Sequence, residues 1–166
     1  MTDCLLDTDI LSIFAKADAL PLLCSFFKCE RLPITPGVFS ELLIPIEYGY
    51  DFPQRILALA EVLTMTAGEI EDYKALRLRG KLSAADAELI SLCKHRGWLY
   101  VAMDRIALHC AEEHGVHTVD LHALLKAMLA AKLLDRQELR DLIDRMERED
   151  RTTLPYKESL LAIEDT

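Results

Sequence analysis

Four acids in this chain stand where acids are costly. Asp7 ends the apolar run Cys4-Leu5-Leu6. Glu41 lies inside Val38-Phe39-Ser40-Glu41-Leu42-Leu43, Asp86 inside Ser83-Ala84-Ala85-Asp86-Ala87, and Asp104 follows Val101-Ala102-Met103. An acid flanked in this way is partly desolvated, and an unpaired buried charge is strongly unfavourable. Carboxylates gathered at one place also raise one another's pKa values. A divalent cation relieves both penalties, and ligation by oxygen alone selects Mg²⁺ or Mn²⁺ over zinc. Such an ion activates water and polarises a phosphodiester. Taken singly, each acid has a plainer use as a helix cap or as the partner of an Arg. Asp86, three residues after Ser83, approximates a capping box with Asp in place of Glu. The chemical reading therefore needs all four together.

The elements that would carry these acids alternate. Cys4–Leu6, 32–35, 62–66, 98–103 and 116–119 read as short apolar or β-rich strands. Between them, helical periodicity runs over 10–16, 18–29, 36–44, 56–60, 67–79, 83–96 and 105–114. Gly80, Gly97 and Gly115 stand as stops, and Pro36 at a first helical position. Two longer helices follow, near 120–132 and 135–149, the second with Leu139, Leu142, Ile143 and Met146 on one stripe. Strands alternating with helices predict an α/β fold with a central parallel sheet flanked by helices. Such sheets place their sites beyond the carboxyl ends of the strands, which is where Asp7 and Asp104 fall.

Composition bounds what these acids can serve. The chain has 166 residues, 51% of them apolar, enough for one domain with a proper core. No apolar run is long enough to span a bilayer. The start, Met1-Thr2-Asp3-Cys4, lacks the basic flank of a signal peptide, so a cytoplasmic location is expected. The net charge of −9 argues against nucleic-acid binding by bulk attraction, though not against an enzyme whose acidic site is neutralised by metal. Five cysteines show no pairing pattern and read as reduced, packed thiols. Cys110, His114 and His117 lack the second ligand pair of a zinc finger. Lys74, Arg77, Arg79 and Lys81 form a basic run before Asp86, and Arg105 follows Asp104. They are candidates for phosphate contacts, with a solvated helix face as the alternative. The mixed charges of 135–151 read as a solvated face with pairs four residues apart.

In order and spacing, four segments resemble the motifs of PIN domains: Leu5-Leu6-Asp7-Thr8-Asp9-Ile10-Leu11, Pro36-Gly37-Val38-Phe39-Ser40-Glu41-Leu42, Leu82-Ser83-Ala84-Ala85-Asp86-Ala87-Glu88-Leu89-Ile90 and Trp98-Leu99-Tyr100-Val101-Ala102-Met103-Asp104-Arg105. The resemblance spans about residues 4–120. The helical tail after 120 is similar, less specifically, to prokaryotic VapC-type toxins. It implies a single three-layer PIN-like domain over 1–166, with a helical C-terminal extension from about 120. It implies a single-strand-specific ribonuclease dependent on Mg²⁺ or Mn²⁺. Asp7, Glu41, Asp86 and Asp104 would be the catalytic acids, with Asp7, Asp86 and Asp104 on the metal. Thr8 would orient Asp7 or a substrate phosphate, and Arg105, Arg77 and Arg79 would hold RNA. A homodimer, and an antitoxin encoded beside a toxin, are further implications. The chain departs from the pattern at Met103, where many members carry a polar residue, and at Ala107, which brings no further acid for a second metal. Two other readings remain open: a catalytically silent PIN module that binds protein or RNA, and a haloacid-dehalogenase-type phosphatase using Asp7 and Asp9.

Overall fold

The strands form where short apolar runs can be covered on both faces. A computed structural model describes residues 3–162. β1 (Cys4–Leu6) is buried at every position, as a central parallel strand should be. β4 (Leu99–Val101) pairs with it in parallel, with Cys4 opposite Leu99, Leu5 opposite Tyr100 and Leu6 opposite Val101. β5 (Thr118–Val119) adds to the far side of β4, also parallel. A second parallel pair joins β2 (Leu32–Ile34) to β3 (Ala60–Val62). β2 approaches β1 without joining its ladder. The expected central parallel sheet flanked by helices is present, in two hydrogen-bonded pieces.

Helices close each crossover. They are α1 (Thr8–Lys16), α2 (Leu20–Phe27), α3 (Pro36–Glu47), α4 (Phe52–Leu59), α5 (Ala67–Leu78), α6 (Ala84–Arg96) and α7 (Arg105–Glu113). α8 (Leu121–Ala130), α9 (Arg136–Asp150) and α10 (Lys157–Leu161) follow the last strand. Three boundaries depart from the sequence expectation. α3 runs through Pro45 to Glu47, at the cost of the backbone donor that Pro45 lacks. α4 begins at Phe52, with Pro53 in its first turn, and it shortens the loop that the tyrosines and glycine around position 50 suggested. β3 starts two residues early because its partner β2 meets Ala60. The short helix α10 was not anticipated.

The tail is a packed element. Leu139, Leu142, Ile143 and Met146 are buried as the stripe predicts, and α9 packs on α1 and α10. Its acids reach other elements more than one another. Asp150 accepts from Lys16 Nζ at 2.6 Å, while Asp144 and Glu147 both meet Lys157. Four residues apart within the helix, the neutral Gln137 amide donates to Asp141 at 2.9 Å.

α6 is the helix that the site depends on. Ala85, Ala87, Leu89, Ile90, Ser91, Leu92 and Cys93 are all buried, so it is covered on most of its circumference. α5 lies along it, pinned by buried Glu69, which accepts from Arg96 Nε at 2.7 Å. On another side the start of α3 comes so close that Gly37 N donates to Glu88 Oε2 at 2.6 Å. A Cβ at Gly37 would stand 2.7 Å from that oxygen and 2.8 Å from the Ala85 Cα. The second contact is backbone and cannot yield, so only glycine allows this approach. Gly37→Ala should push α3 away from α6 and destabilise the fold by about 1–3 kcal/mol, read from a urea unfolding curve. An unchanged midpoint would mean that the two helices are not in close contact.

Candidate active site

Parallel register brings the acids to one edge. Because β1 and β4 run side by side, Asp7 N donates to Val101 O at 2.9 Å, and the chain leaving β4 passes directly over Asp7. Asp7 is the N-cap of α1: its Oδ1 accepts from Ile10 N at 2.7 Å. Its Oδ2 accepts from Met103 N at 2.9 Å. The side chain is only 4% exposed. Asp104 caps α7 in the same manner, with Oδ1 accepting from Ile106 N at 2.7 Å and from Ala107 N at 3.1 Å, but it stands at the surface. Asp7 and Asp104 are thus both strand-end acids and helix caps, where the partial positive charge of a helix N-terminus favours an anion.

Asp86 sits in the first turn of α6, half-buried. Ser83 caps that helix by accepting from Asp86 N at 3.0 Å, and the Ser83 hydroxyl donates to Asp86 Oδ2 at 2.9 Å. The reciprocal half of a capping box does not form. Instead Oδ1 accepts from the Tyr100 hydroxyl at 3.0 Å. Glu41 lies in the second turn of α3, further from the helix start than its sequence motif suggested. It accepts a hydrogen bond from the Thr8 hydroxyl.

The electrostatics bind these residues into one cluster. Burial first, then the charges of Asp9 and Asp86, push the Asp7 carboxyl up to about 7, against two backbone hydrogen bonds that lower it. Burial, and then Asp86, Asp9 and Glu88, raise Glu41, opposed by the Thr8 hydrogen bond. Asp9 is raised by desolvation and by Asp150, Asp86 and Asp104. Among the described residues no ion pair ends on Asp7, Glu41, Asp86 or Asp104. Neutral O–H and N–H groups orient the four acids, and their charge is left uncompensated. An all-oxygen set of this kind fits a hard divalent cation. As placed, no three or more His, Cys, Asp or Glu side chains of the described residues form a group that could hold a metal ion. A groove of about 310 Å³, walled by Pro36, Ile44, Ala84 and Ala85, opens beside Glu41 and Glu88. A larger hollow of about 490 Å³ lies elsewhere, and two of the charges lining it, Lys16 and Asp150, are bonded to each other.

The sequence-predicted residues divide accordingly. The structure brings Asp7, Glu41 and Asp86 into one electrostatic neighbourhood and links Asp104 to it through Asp9. Thr8 belongs to the cluster but donates to Glu41, while the Asp7 oxygens accept from backbone N–H groups. Arg105 is exposed beside Asp104. Arg77 is committed locally, donating from Nη1 to Leu82 O at 2.6 Å, so that it shapes the loop entering α6. Arg79 lies near Asp72, Cys110 and His114. Cys110 and His114 meet through Nδ1 and the Cys110 carbonyl, at 2.7 Å. Sequence reasoning missed three members of the neighbourhood. For Asp9 the available signal was a second acid two residues after Asp7, and Glu88 stood inside the third motif without being singled out. Tyr100 looked like core, and only the strand register shows that its hydroxyl reaches α6.

An α/β chain with a parallel sheet, and with acids at the carboxyl ends of its strands, belongs to the class that keeps its site at that edge. A sequence profile of the PIN domain matches residues 4–157. The chain belongs to the PIN-domain family, whose members are generally nucleases. No curated protein matches it. Among nine matching chains of solved structures is the crystal structure of PAE2754 from Pyrobaculum aerophilum. That chain is 20% identical, with 78% of this chain and 98% of that one covered, at a TM-score of 0.56, a likeness of fold. No helix among the described residues is long and apolar enough to cross a membrane.

The raised Asp7 carboxyl has a sign that can be measured. Its folded value, about 7, exceeds the unfolded value of about 3.9, so the native state holds the proton more tightly. The stability it contributes is fully present below the unfolded value and is lost as the pH rises toward about 7. The metal-free protein should therefore melt higher at pH 5 than at pH 7.5, and Asp7→Asn should flatten that difference. A parent whose melting temperature rises over this interval would contradict the burial of Asp7.

Proposed function

We propose that this protein is a metal-dependent endoribonuclease acting on single-stranded RNA. The observation that carries the reading is the set of carboxylates at the sheet edge, each oriented by neutral donors and none compensated by a cation. Asp7, Asp86 and Asp104 are the residues that would hold Mg²⁺ or Mn²⁺. When bound, such an ion lowers the pKa of a water and polarises the scissile phosphate. Asp7 offers lone pairs beyond the two that accept backbone N–H, and Asp104 keeps Oδ2 free of the helix cap. Glu41, raised toward the protonated form, is placed to hold or release a proton at the oxygen that Thr8 does not occupy. Arg105, exposed and in no ion pair of the described residues, is available to a phosphate next to Asp104. The groove beside Glu41 is where a strand of RNA would lie. In-line attack would leave 5′-phosphate and 3′-hydroxyl ends, as the resemblance to PIN nucleases implies.

The toxin role, a cognate antitoxin, a homodimer and a cytoplasmic location extend this reading on the strength of the resemblance alone. α3 offers such a partner a face, since Phe39, Leu43, Ile44 and Tyr48 are exposed along it. Of the four arginine and threonine contacts expected for substrate, the local bond of Arg77 and the position of Arg79 favour Arg105 and Thr8.

The test is cleavage of unstructured RNA with Mn²⁺ or Mg²⁺. Cutting should stop with chelator and should be abolished in Asp7→Asn, with the circular dichroism spectrum retained. Mn²⁺ at a hundred times its Kd should stabilise the parent by about 2.7 kcal/mol in thermal melts at pH 7.5. An Asp7→Asn variant that cuts as fast as the parent would sink the assignment. A parent that binds RNA without cutting any of a varied set would instead mark a silent binding module.

A further inference from the structure

Tyr100 is the largest side chain that the structure buries completely, at 0% exposure. It lies in β4, opposite Leu5 of β1 and Thr118 of β5. By shape alone a phenylalanine would serve there. A hydroxyl carried into the core costs free energy unless it finds a partner. This one finds Asp86 Oδ1, at 3.0 Å, and makes no other hydrogen bond. The second oxygen of Asp86 accepts from Ser83, at 2.9 Å. Two neutral donors, one rising from the core and one at the helix start, therefore fix the plane of the carboxylate. Ser83 also has the separate task of capping α6, whereas Tyr100 has none. A phenol is protonated at neutral pH, so the hydroxyl is an O–H donor to that oxygen. A lysine or arginine in its place would neutralise Asp86 and oppose a bound cation. A phenol orients the carboxylate and leaves its charge, and each oxygen keeps a further lone pair for a ligand.

We infer that Tyr100 is a positioning residue of the candidate metal site, its core-buried hydroxyl holding the Asp86 carboxylate in one orientation beside Asp7. The inference rests on the metal-dependent reading above. Support by a group behind the ligand typically changes metal affinity by about ten- to a hundredfold when it is removed.

The experiment titrates Mn²⁺ calorimetrically into the metal-free parent, Tyr100→Phe, Asp86→Asn and the double variant, and melts each without metal. Tyr100→Phe keeps the ring and removes only the donor. It should weaken Mn²⁺ binding by about tenfold, with the metal-free melting temperature held within a few degrees. On RNA, kcat should fall while KM holds. In the Asp86→Asn background the same change should leave Mn²⁺ affinity as it was, since the carboxylate to be oriented is gone. Parent-like affinity in Tyr100→Phe would overturn the inference and leave the metal reading standing. An equal loss in the Asp86→Asn background, or a fall in the metal-free melting temperature that parallels the lost affinity, would overturn it in favour of a packing role. A parent that takes up no Mn²⁺ would remove the metal reading and this inference with it.

Discussion

The parallel pairing of β1 with β4 is the constraint on which the site depends. Leu6 stands opposite Val101, so the two chains leave the sheet side by side at the same edge. The Asp7 amide is spent on Val101 O, and its carboxylate is met by the Met103 amide, which belongs to the other strand's exit. A slip by one residue would turn Tyr100 to the opposite face of the sheet and remove the donor of Asp86. It would also take Met103 N from Asp7. One register thus decides the surroundings of two acids that are far apart in sequence. Met103, a departure from the family pattern by side chain, contributes through its backbone, where the identity of the side chain matters little.

A second constraint acts from the helices. The acids at 7 and 104 are paired with the N-termini of α1 and α7, and Asp86 with that of α6. Each helix start supplies amide donors and partial positive charge to a group that must remain anionic in a half-dry setting. Glu41 lacks this support because it lies in the second turn, and the Thr8 hydroxyl takes over. Gly37 then sets how near α3 can bring Glu41 to α6. The device throughout is orientation by dipoles, with no guanidinium or ammonium committed to the acids. That choice separates this site from the buried pair Glu69 and Arg96, where a cation sits at 2.7 Å and holds the Glu69 carboxyl below its usual range. The same fold therefore contains a carboxylate settled by a counter-charge, which serves packing, and others left unsettled.

Much of this was legible in the sequence. An acid closing an apolar triplet at Asp7 and at Asp104 marks a parallel strand end, because a strand buried on both faces admits a charge only where it leaves the sheet. The helix start at Ser83 and the stripe on α9 follow from short polar side chains and periodicity. What stayed hidden depended on tertiary placement. Tyr100 in Trp98-Leu99-Tyr100-Val101 reads as one more core aromatic, since nothing local says that α6 crosses behind it. Arg77 reads as a free cation because its acceptor, the Leu82 carbonyl, is a backbone group that no side-chain pattern reports. Asp150 reads as part of a solvated helix, yet it joins Lys16 of α1 and lends its charge to Asp9. Pro45 argued for a helix end, and packing of α3 against α4 and α6 outweighed the lost hydrogen bond.

The net charge of −9 bears on how such a site could meet RNA. Without compensation, the cluster around Asp7 repels a phosphate, and the raised Asp7 and Glu41 carboxyls reflect burial first and then the charges of their acidic neighbours. On the proposed reading, one divalent ion changes both relations at once: it makes ionised acids tolerable at neutral pH and turns a repulsive edge into one that accepts phosphate. Few exposed cations lie beside the acids, Arg105 being the nearest in sequence, so RNA affinity would come from the ion and from a small number of contacts. Binding built in this way depends only weakly on monovalent salt, because few counterions are released from the nucleic acid. On the same reading it would depend steeply on the divalent ion, which would decide both whether RNA is held and whether it is cut.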